Sequence, residues 1–394
     1  MIYLVYTINY KDREILVMIL IKNIEIYAPE YLGMKDLLIC GNKIECIGDK
    51  IELPEKQLSI EVIDGTNKVL FPGFIDSHVH ILGGGGEGGF KTRTPEINVK
   101  DIVEGGVTTV VGCIGTDGVT RDMKGLIAKS RALEEEGISS YVYTGSYKIP
   151  SKPLMSSIEE DIILIDKIIG VGEVALSDHR GSQPSLEKFI ELASEARRGG
   201  ILSGKAGIIN IHLGDGKDKL KYIREAVENT EIPIAQFLPT HINRNEELFN
   251  EGIEYAKLGG RVDLTTSTTP KFLEEGEVKC SKGLKRLLDS GVDIKNITFS
   301  SDAQGSLPIF NDLGEYIGTG VGKVSSLYNE VCDAILEENI PIETAIKVIT
   351  SNVADALKLN KKGRIKVGND GDIVIVNKVD LKINSVIAKG EILL

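Results

Sequence analysis

"FIDSHVH", Phe74–His80, is an apolar run that closes on two histidines two residues apart, and how it is read decides the fold. In an extended strand successive side chains alternate between faces, so His78 and His80 point the same way. The same construction recurs downstream. "INIHLG" carries His212, "LPTHINR" carries His241 and "NITFSSDAQGS" carries Asp302, each ending an apolar, β-branched run. The chain has five histidines, and four of them stand at such strand ends. Imidazoles and a carboxylate brought to strand ends from separated segments suit a hydrolytic metal site of zinc type. The ordinary alternative, histidines buried one by one in a core, needs a separate partner for each ring.

Outward from this run, strand-like and helix-like segments alternate from residue 69 to residue 305. The strand runs are "VLFPGFIDSHVH", "VTTVVGCIG", "SYVYTGSY", "GVGEVALSD", "GIINIHLG", "AQFLPTHI", "RVDLTTS" and "NITFSSDA", eight in all. Between them lie helical patterns such as Met123–Gly137, Ser185–Gly200 and Asn245–Gly260, with apolar residues at helical spacing and glycine at the stop. Eight βα units predict an α/β fold, a (β/α)8 TIM-type barrel spanning residues 69–359, whose site lies at the C-terminal strand ends. Residues 1–68 and 360–394 return to alternating strands with turn residues, as in "ILIKNIEIY" and "GDIVIVNKVD". The two ends are expected to pair into one small β-sandwich domain.

Composition limits the partners. The chain of 394 residues carries a net charge of −12 and has no Lys/Arg-rich run, which argues against nucleic acid. Cys40, Cys46, Cys113, Cys280 and Cys332 are odd in number and unpaired in spacing, so a reducing compartment, the cytoplasm, is the expectation. Cys113, inside an apolar strand, reads as core. The start, "MIYLVYTINYKDREILVMILI", lacks the basic region and cleavage site of a signal peptide and any apolar run long enough to span a membrane. Its first seventeen residues read as an extension ahead of Met18 or as an extra strand. "GGGGEGG", Gly83–Gly89, lacks the strand, spacing and helix of a nucleotide-binding loop.

The motifs "HVHILGGGGEGG", "GTDG", "TGSYKIPS", "SDHR", "IHLGDG", "THINRN" and "SSDAQGS", in this order across nearly the whole chain, resemble the isoaspartyl (β-aspartyl) dipeptidase family of the amidohydrolase superfamily. The resemblance implies two divalent metal ions, zinc by expectation. His78, His80 and Asp302 would hold one and His212 and His241 the other. It departs at one position. The family's bridging ligand is a lysine carboxylated on its side-chain nitrogen, seven residues before the arginine of "SDHR"; here that position is Glu173. A glutamate supplies the same unit charge and two bridging oxygens, but it is shorter. Strand four must therefore approach the metals more closely, with Gly172 for backbone adjustment, or one metal must be held loosely.

The implied chemistry is hydrolysis of the isopeptide bond in β-aspartyl dipeptides by a hydroxide bridging the two metals. Asp302 would serve as general base and acid, and Tyr147 of "TGSY" would donate to the oxyanion. An isoaspartyl dipeptide carries one free ammonium and two carboxylates. Glu87, with Ser306, suits the ammonium, and Arg180 and Arg244 suit the carboxylates, with Gly85 and Thr116 completing the pocket. His179 points to the opposite strand face and reads as structural. A small dipeptide substrate, neither nucleic acid nor membrane, and a homo-oligomer are the expected partners. The alternatives are another amidohydrolase, acting on a cyclic amide or an N-acyl amino acid, and a non-catalytic scaffold of hydrolase fold. The retained ligands argue against the scaffold. Glu87 beside two arginines argues against a cyclic amide, which has no ammonium to match.

Overall fold

The computed structural model describes residues 18–52, 60–311 and 316–394. Its first strands are β1 (Met18–Tyr27), β2 (Tyr31–Cys40), β3 (Lys43–Gly48), β4 (Ile60–Asp64) and β5 (Lys68–Pro72). The barrel strands follow: β6 (Phe74–Val79), β7 (Val107–Gly112), β8 (Ser139–Thr144), β9 (Ile168–Leu176), β10 (Ile208–Leu213), β11 (Phe237–Thr240), β12 (Val262–Thr265) and β13 (Ile297–Ser300). A hairpin, β14 (Ser306–Phe310) and β15 (Tyr316–Val321), leads to helices and then to β16 (Ile373–Asn377), β17 (Ile383–Ala388) and β18 (Glu391–Ile392). The strand considered for residues 1–17 lies outside the described residues.

β6 to β11 form one parallel sheet and β12 pairs with β13, eight barrel strands in all. The circle closes between last and first through a parallel bridge of Val79 with Ala303. There Asp302 N donates to His78 O at 3.1 Å and His80 N to Ala303 O at 2.9 Å. Between β11 and β12, Asn243 Oδ1 accepts from Thr265 N at 2.8 Å. Alternation along each strand sorts the side chains. Ile75, Val111, Tyr143, Ile169, Ile208 and Leu238 form an apolar floor inside the barrel, plugged from below by Val353 and Ala354 of the helix Ser351–Ala356 and by Leu357 just after it. Their neighbours, among them Val110, Ile209 and Ile211, pack outward on the helices.

The run "VLFPGFIDSHVH", expected as one barrel strand, is two. It breaks at Gly73 into β5, which pairs antiparallel with β16, and β6, which enters the barrel. β5 thereby joins both ends of the chain in one eight-stranded mixed sheet, ordered β18-β17-β16-β5-β1-β2-β3 with β4 beside β1. One face buries Ile19, Ile21, Leu37, Ile39, Leu70 and Ile373 against one another. The opposite residues of the same strands, Val69, Phe71 and Val374, pack on the barrel. The segment ahead of β16 reaches across to the start of β3, where Lys43 bridges Asp370 and Gly371 N donates to Asn42 O at 2.8 Å, which gives the small unit its sandwich-like closure.

The helix expected over Ser185–Gly200 runs over Leu186–Ser203 and ends at Gly204, φ 73°. Gly199 and Gly200 do not stop it because they are a packing seat: a Cβ on Gly200 would lie 2.7 Å from Gly207 Cα.

Candidate functional site

The C-terminal ends of the barrel strands gather the singled-out side chains. His78 and His80 project from the end of β6, Glu173 from β9, His212 from β10, and His241 and Asp302 from just beyond β11 and β13. His241 (φ 63°) and Asp302 (φ 53°) both take the left-handed conformation, which ordinary residues adopt only when their surroundings over-determine it. Glu173 is at the centre. Its Oε1 lies 3.4 Å from His80 Nε2, and its Oε2 lies 3.3 Å from His78 Nε2, 3.2 Å from His212 Nδ1 and 3.8 Å from His241 Nε2. Asp302 Oδ1 closes the ring, 3.0 Å from His80 Nε2 and 3.6 Å from His78 Nε2.

The short glutamate reaches this centre through its strand. Gly172, φ 151°, lies so close to β10 that a Cβ would sit 2.8 Å from Asn210 Cβ and carbonyl oxygen. The β9–β10 register shifts at the same point, between Ile209 and Ile211. Only glycine permits this approach.

The residues present fit a cation centre. His78 Nε2, both Glu173 oxygens and Asp302 Oδ1 are buried without a hydrogen-bond partner, yet they face one another. Buried ionic atoms left so are costly unless a cation satisfies them. Among the described residues two sets of possible ligands are spaced to hold an ion, one of His78, His80, Cys113 and Glu173 and the other of Glu173, His212 and His241. Glu173 belongs to both. Burial would lower the pKa of His78 and His80, but the Cys113 sulfur and the carboxylates around them raise both well above the ordinary histidine range. Burial would raise Glu173, but the facing imidazoles hold it well below the usual carboxylate range. His241 is pushed down to about 3 by burial and by the charge of His212.

The far ring nitrogens are held by residues that sequence reasoning missed. His78 Nδ1 meets Asn210 Oδ1 at 3.0 Å, His241 Nδ1 meets Thr265 Oγ1 at 2.6 Å, and His212 Nε2 meets Asp178 Oδ2 at 2.9 Å. These partners fix which nitrogen turns toward Glu173. Asn210 was findable, since it lies two residues before His212 on one strand face. Cys113 is buried as expected, but its Sγ also lies 3.8 Å from His80 Nδ1. It has a polar neighbour as well as a core position.

Above the cluster opens a cavity of about 220 Å³. Gly85, Glu87, Thr116, Arg180, Arg244 and Ser306 all line it, together with Tyr147 and Asp302. Glu87 accepts from Thr116 Oγ1 at 2.8 Å and from Ser306 Oγ at 3.5 Å. Arg180 is differently engaged from the sequence expectation: its fork lies on Asp178, with Nε 3.0 Å from Oδ1 and Nη2 2.6 Å from Oδ2, and its Nη1 stands 3.9 Å from Glu87. Arg244 is anchored by Nε to the Leu213 carbonyl at 2.9 Å. Tyr147 OH lies 2.8 Å from His212 Nδ1, and burial and Glu173 raise its pKa well above the usual tyrosine value, so it stays a neutral donor. His179 turns away from this cluster to the surface, its side chain 91% exposed. Among the described residues no helix is long and apolar enough to cross a membrane.

A sequence profile of the amidohydrolase family matches residues 69–393. The structure is similar to that of the β-aspartyl dipeptidase from the thermophilic keratin-degrading Fervidobacterium islandicum AW-1 in complex with β-Asp-Leu, with 44% identity, a TM-score of 0.89 and 96% of each chain covered. The sequence is also similar, at 25% identity over 87% of this chain and 80% of the other, to a 5-methylthioadenosine/S-adenosylhomocysteine deaminase of Carboxydothermus hydrogenoformans. N-acetylglucosamine-6-phosphate deacetylase from Pasteurella multocida, at 16% identity and a TM-score of 0.61 over 95% of this chain and 99% of the other, shares the fold.

Proposed function

Because the chain belongs to the amidohydrolase family, we propose that it is a metal-dependent dipeptidase that cleaves the isopeptide bond of β-aspartyl (isoaspartyl) dipeptides. The observation that carries this reading is a single cavity in which His80, His212, His241 and Asp302 share walls with Glu87, Arg180 and Arg244. The likeness to a β-aspartyl dipeptidase over nearly the full length of both chains supports it.

His78, His80 and Asp302 would hold one divalent ion and His212 and His241 a second, with Glu173 shared between them; zinc is the proposed metal. When bound, the ions supply an activated water and polarise the scissile carbonyl. The remaining work falls to the chain. Asp302, held ionised at a pKa of about 2 by His80 against the effect of burial, takes the proton of the attacking water and delivers it to the departing amine. Tyr147 donates its hydroxyl to the oxygen that gains charge. Glu87 and Ser306 receive the substrate ammonium, and Arg180 and Arg244 receive its two carboxylates. Gly85 and Thr116 complete the wall around Glu87.

The decisive experiment combines metal analysis with hydrolysis of β-Asp-Leu, α-Asp-Leu and N-acetyl-β-Asp-Leu. Retained metal with cleavage of the first alone is expected. Equal cleavage of the α-linked dipeptide would remove the isopeptide assignment, and equal cleavage of the acetylated one would remove the ammonium role of Glu87.

A further inference from the structure

On the dipeptidase reading, every polar group of the β-aspartyl half has a counterpart in the cavity. That half has no side chain to spare, because its side chain is the acyl group being cleaved. Asp117 and Arg121 also line the cavity, but Asp117 is paired with Arg93 and Arg121 with the carbonyls of Leu82, Gly84 and Gly85, so a further ionisable lining residue without such a partner is the one left for the side chain of the leaving residue. Glu277 is such a residue.

Its position is fixed through the next residue, Val278, which is bonded to both the backbone and the side chain of Asn243. Val278 N donates to Asn243 O at 2.8 Å, and Asn243 Nδ2 donates to Val278 O at 3.1 Å. Glu277 is thus held next to Arg244, the neighbour of Asn243 in the chain. Its half-buried carboxyl makes no ion pair within 4 Å among the described residues, so Arg244 acts on it without neutralising it. Burial pushes its pKa up to about 7, against the opposing effects of Thr268 and Arg244, so its charge responds to what sits beside it. Phe272, Leu307 and Pro308 line the cavity too, which gives an acidic group apolar surroundings. A long aliphatic stem ending in a cation matches that combination.

We infer that Glu277, with Phe272 and Leu307, forms the subsite for the leaving residue's side chain and selects lysine and arginine over acidic side chains. The inference rests on the dipeptidase reading, and its test separates the two. Values of kcat/KM are measured for β-Asp-Lys, β-Asp-Leu and β-Asp-Glu with the metal-loaded wild type, Glu277→Gln and Glu277→Lys. The wild type is expected to rank lysine first and glutamate last. Glu277→Gln should shrink the lysine-to-glutamate ratio about tenfold, and Glu277→Lys should invert it. Because the ratio is internal to each protein, a partly unfolded variant does not disturb it. Ratios unchanged in both variants, with all three dipeptides cleaved, overturn the inference alone. A wild type that cleaves none of them overturns the dipeptidase reading and the inference with it.

Discussion

Asp302 shows how much rests on one carboxylate. It lies just beyond β13, closes the ring of ligands and has an Oδ1 with no hydrogen-bond partner. Asp302→Asn should lower kcat by about 10² or more with little change in KM, the mark of an interaction used in the transition state. Metals must be counted in the same sample, and near-normal kcat with full metal would end the proton-transfer role. Glu173 bears on metal content. If it supplies the shared charge itself, Glu173→Ala loses at least one metal equivalent, and reconstitution of the wild type is indifferent to bicarbonate. For Arg244, substitution by lysine keeps the charge and loses the planar fork, so kcat/KM should fall by about tenfold at constant metal content; unaltered kinetics on β-Asp-Leu would take it out of the pocket. At this scale the sequence was legible wherever a polar side chain interrupts an apolar run, as His212 does in "INIHLG". Asp178 and Thr265 were not legible, because they act through a histidine and leave no periodic trace of their own.

The loop Gly83–Gly89, which carries Glu87, is pinned by a bridge of Gly85 with Arg93 and by Gly84 N donating to Gln304 O at 3.0 Å, and one buried side chain adds further hydrogen bonds to it. Arg121 is 6% exposed and donates to the carbonyls of Leu82 (3.1 Å), Gly84 (2.7 Å) and Gly85 (3.3 Å). Replacing it with methionine keeps the bulk and releases those carbonyls, so KM should rise by about tenfold while kcat and metal content change less. A variant with wild-type KM would show that the loop holds itself. The eight strands of the barrel were readable because apolar β-branched runs recur between helical patterns. The break at Gly73 was not readable, since β5 and β6 are both apolar and only their partners, β16 and β7, tell them apart. Nor was the β14–β15 hairpin, whose short strands are defined by pairing with each other.

Across the whole molecule, the small sheet and the barrel are joined by a buried charge cluster. Lys362 Nζ lies 2.5 Å from Asp372 Oδ2, 2.9 Å from Asp370 Oδ2 and 2.6 Å from Ser139 Oγ at the start of β8. Removing the lysine would leave the buried Asp372 carboxylate without a cation, while Asp370 keeps Lys43, so Lys362→Met should cost about 3 kcal/mol in denaturant unfolding. Burial would lower the pKa of Lys362, but Asp372 and Asp370 outweigh it and raise the pKa above 10.5. A folded value above the unfolded one means full stabilisation below pH 10.5, lost as pH rises through the folded value. The gap in Tm between wild type and Lys362→Met should therefore narrow in strongly alkaline buffer, and a constant gap would refute the assignment. The pairing of β5 with β16 has a further consequence in time. Pro72 faces Ile373, so a ribosome adding about 5 to 20 residues per second finishes the second partner about 15 to 60 seconds after the first. Throughout that interval Leu70 and the isoleucines of β1 lack part of their cover, and the growing chain offers an unpaired strand edge to anything that can add to it. The moment of greatest risk for this protein is its own synthesis, before the last strands exist to close the sheet.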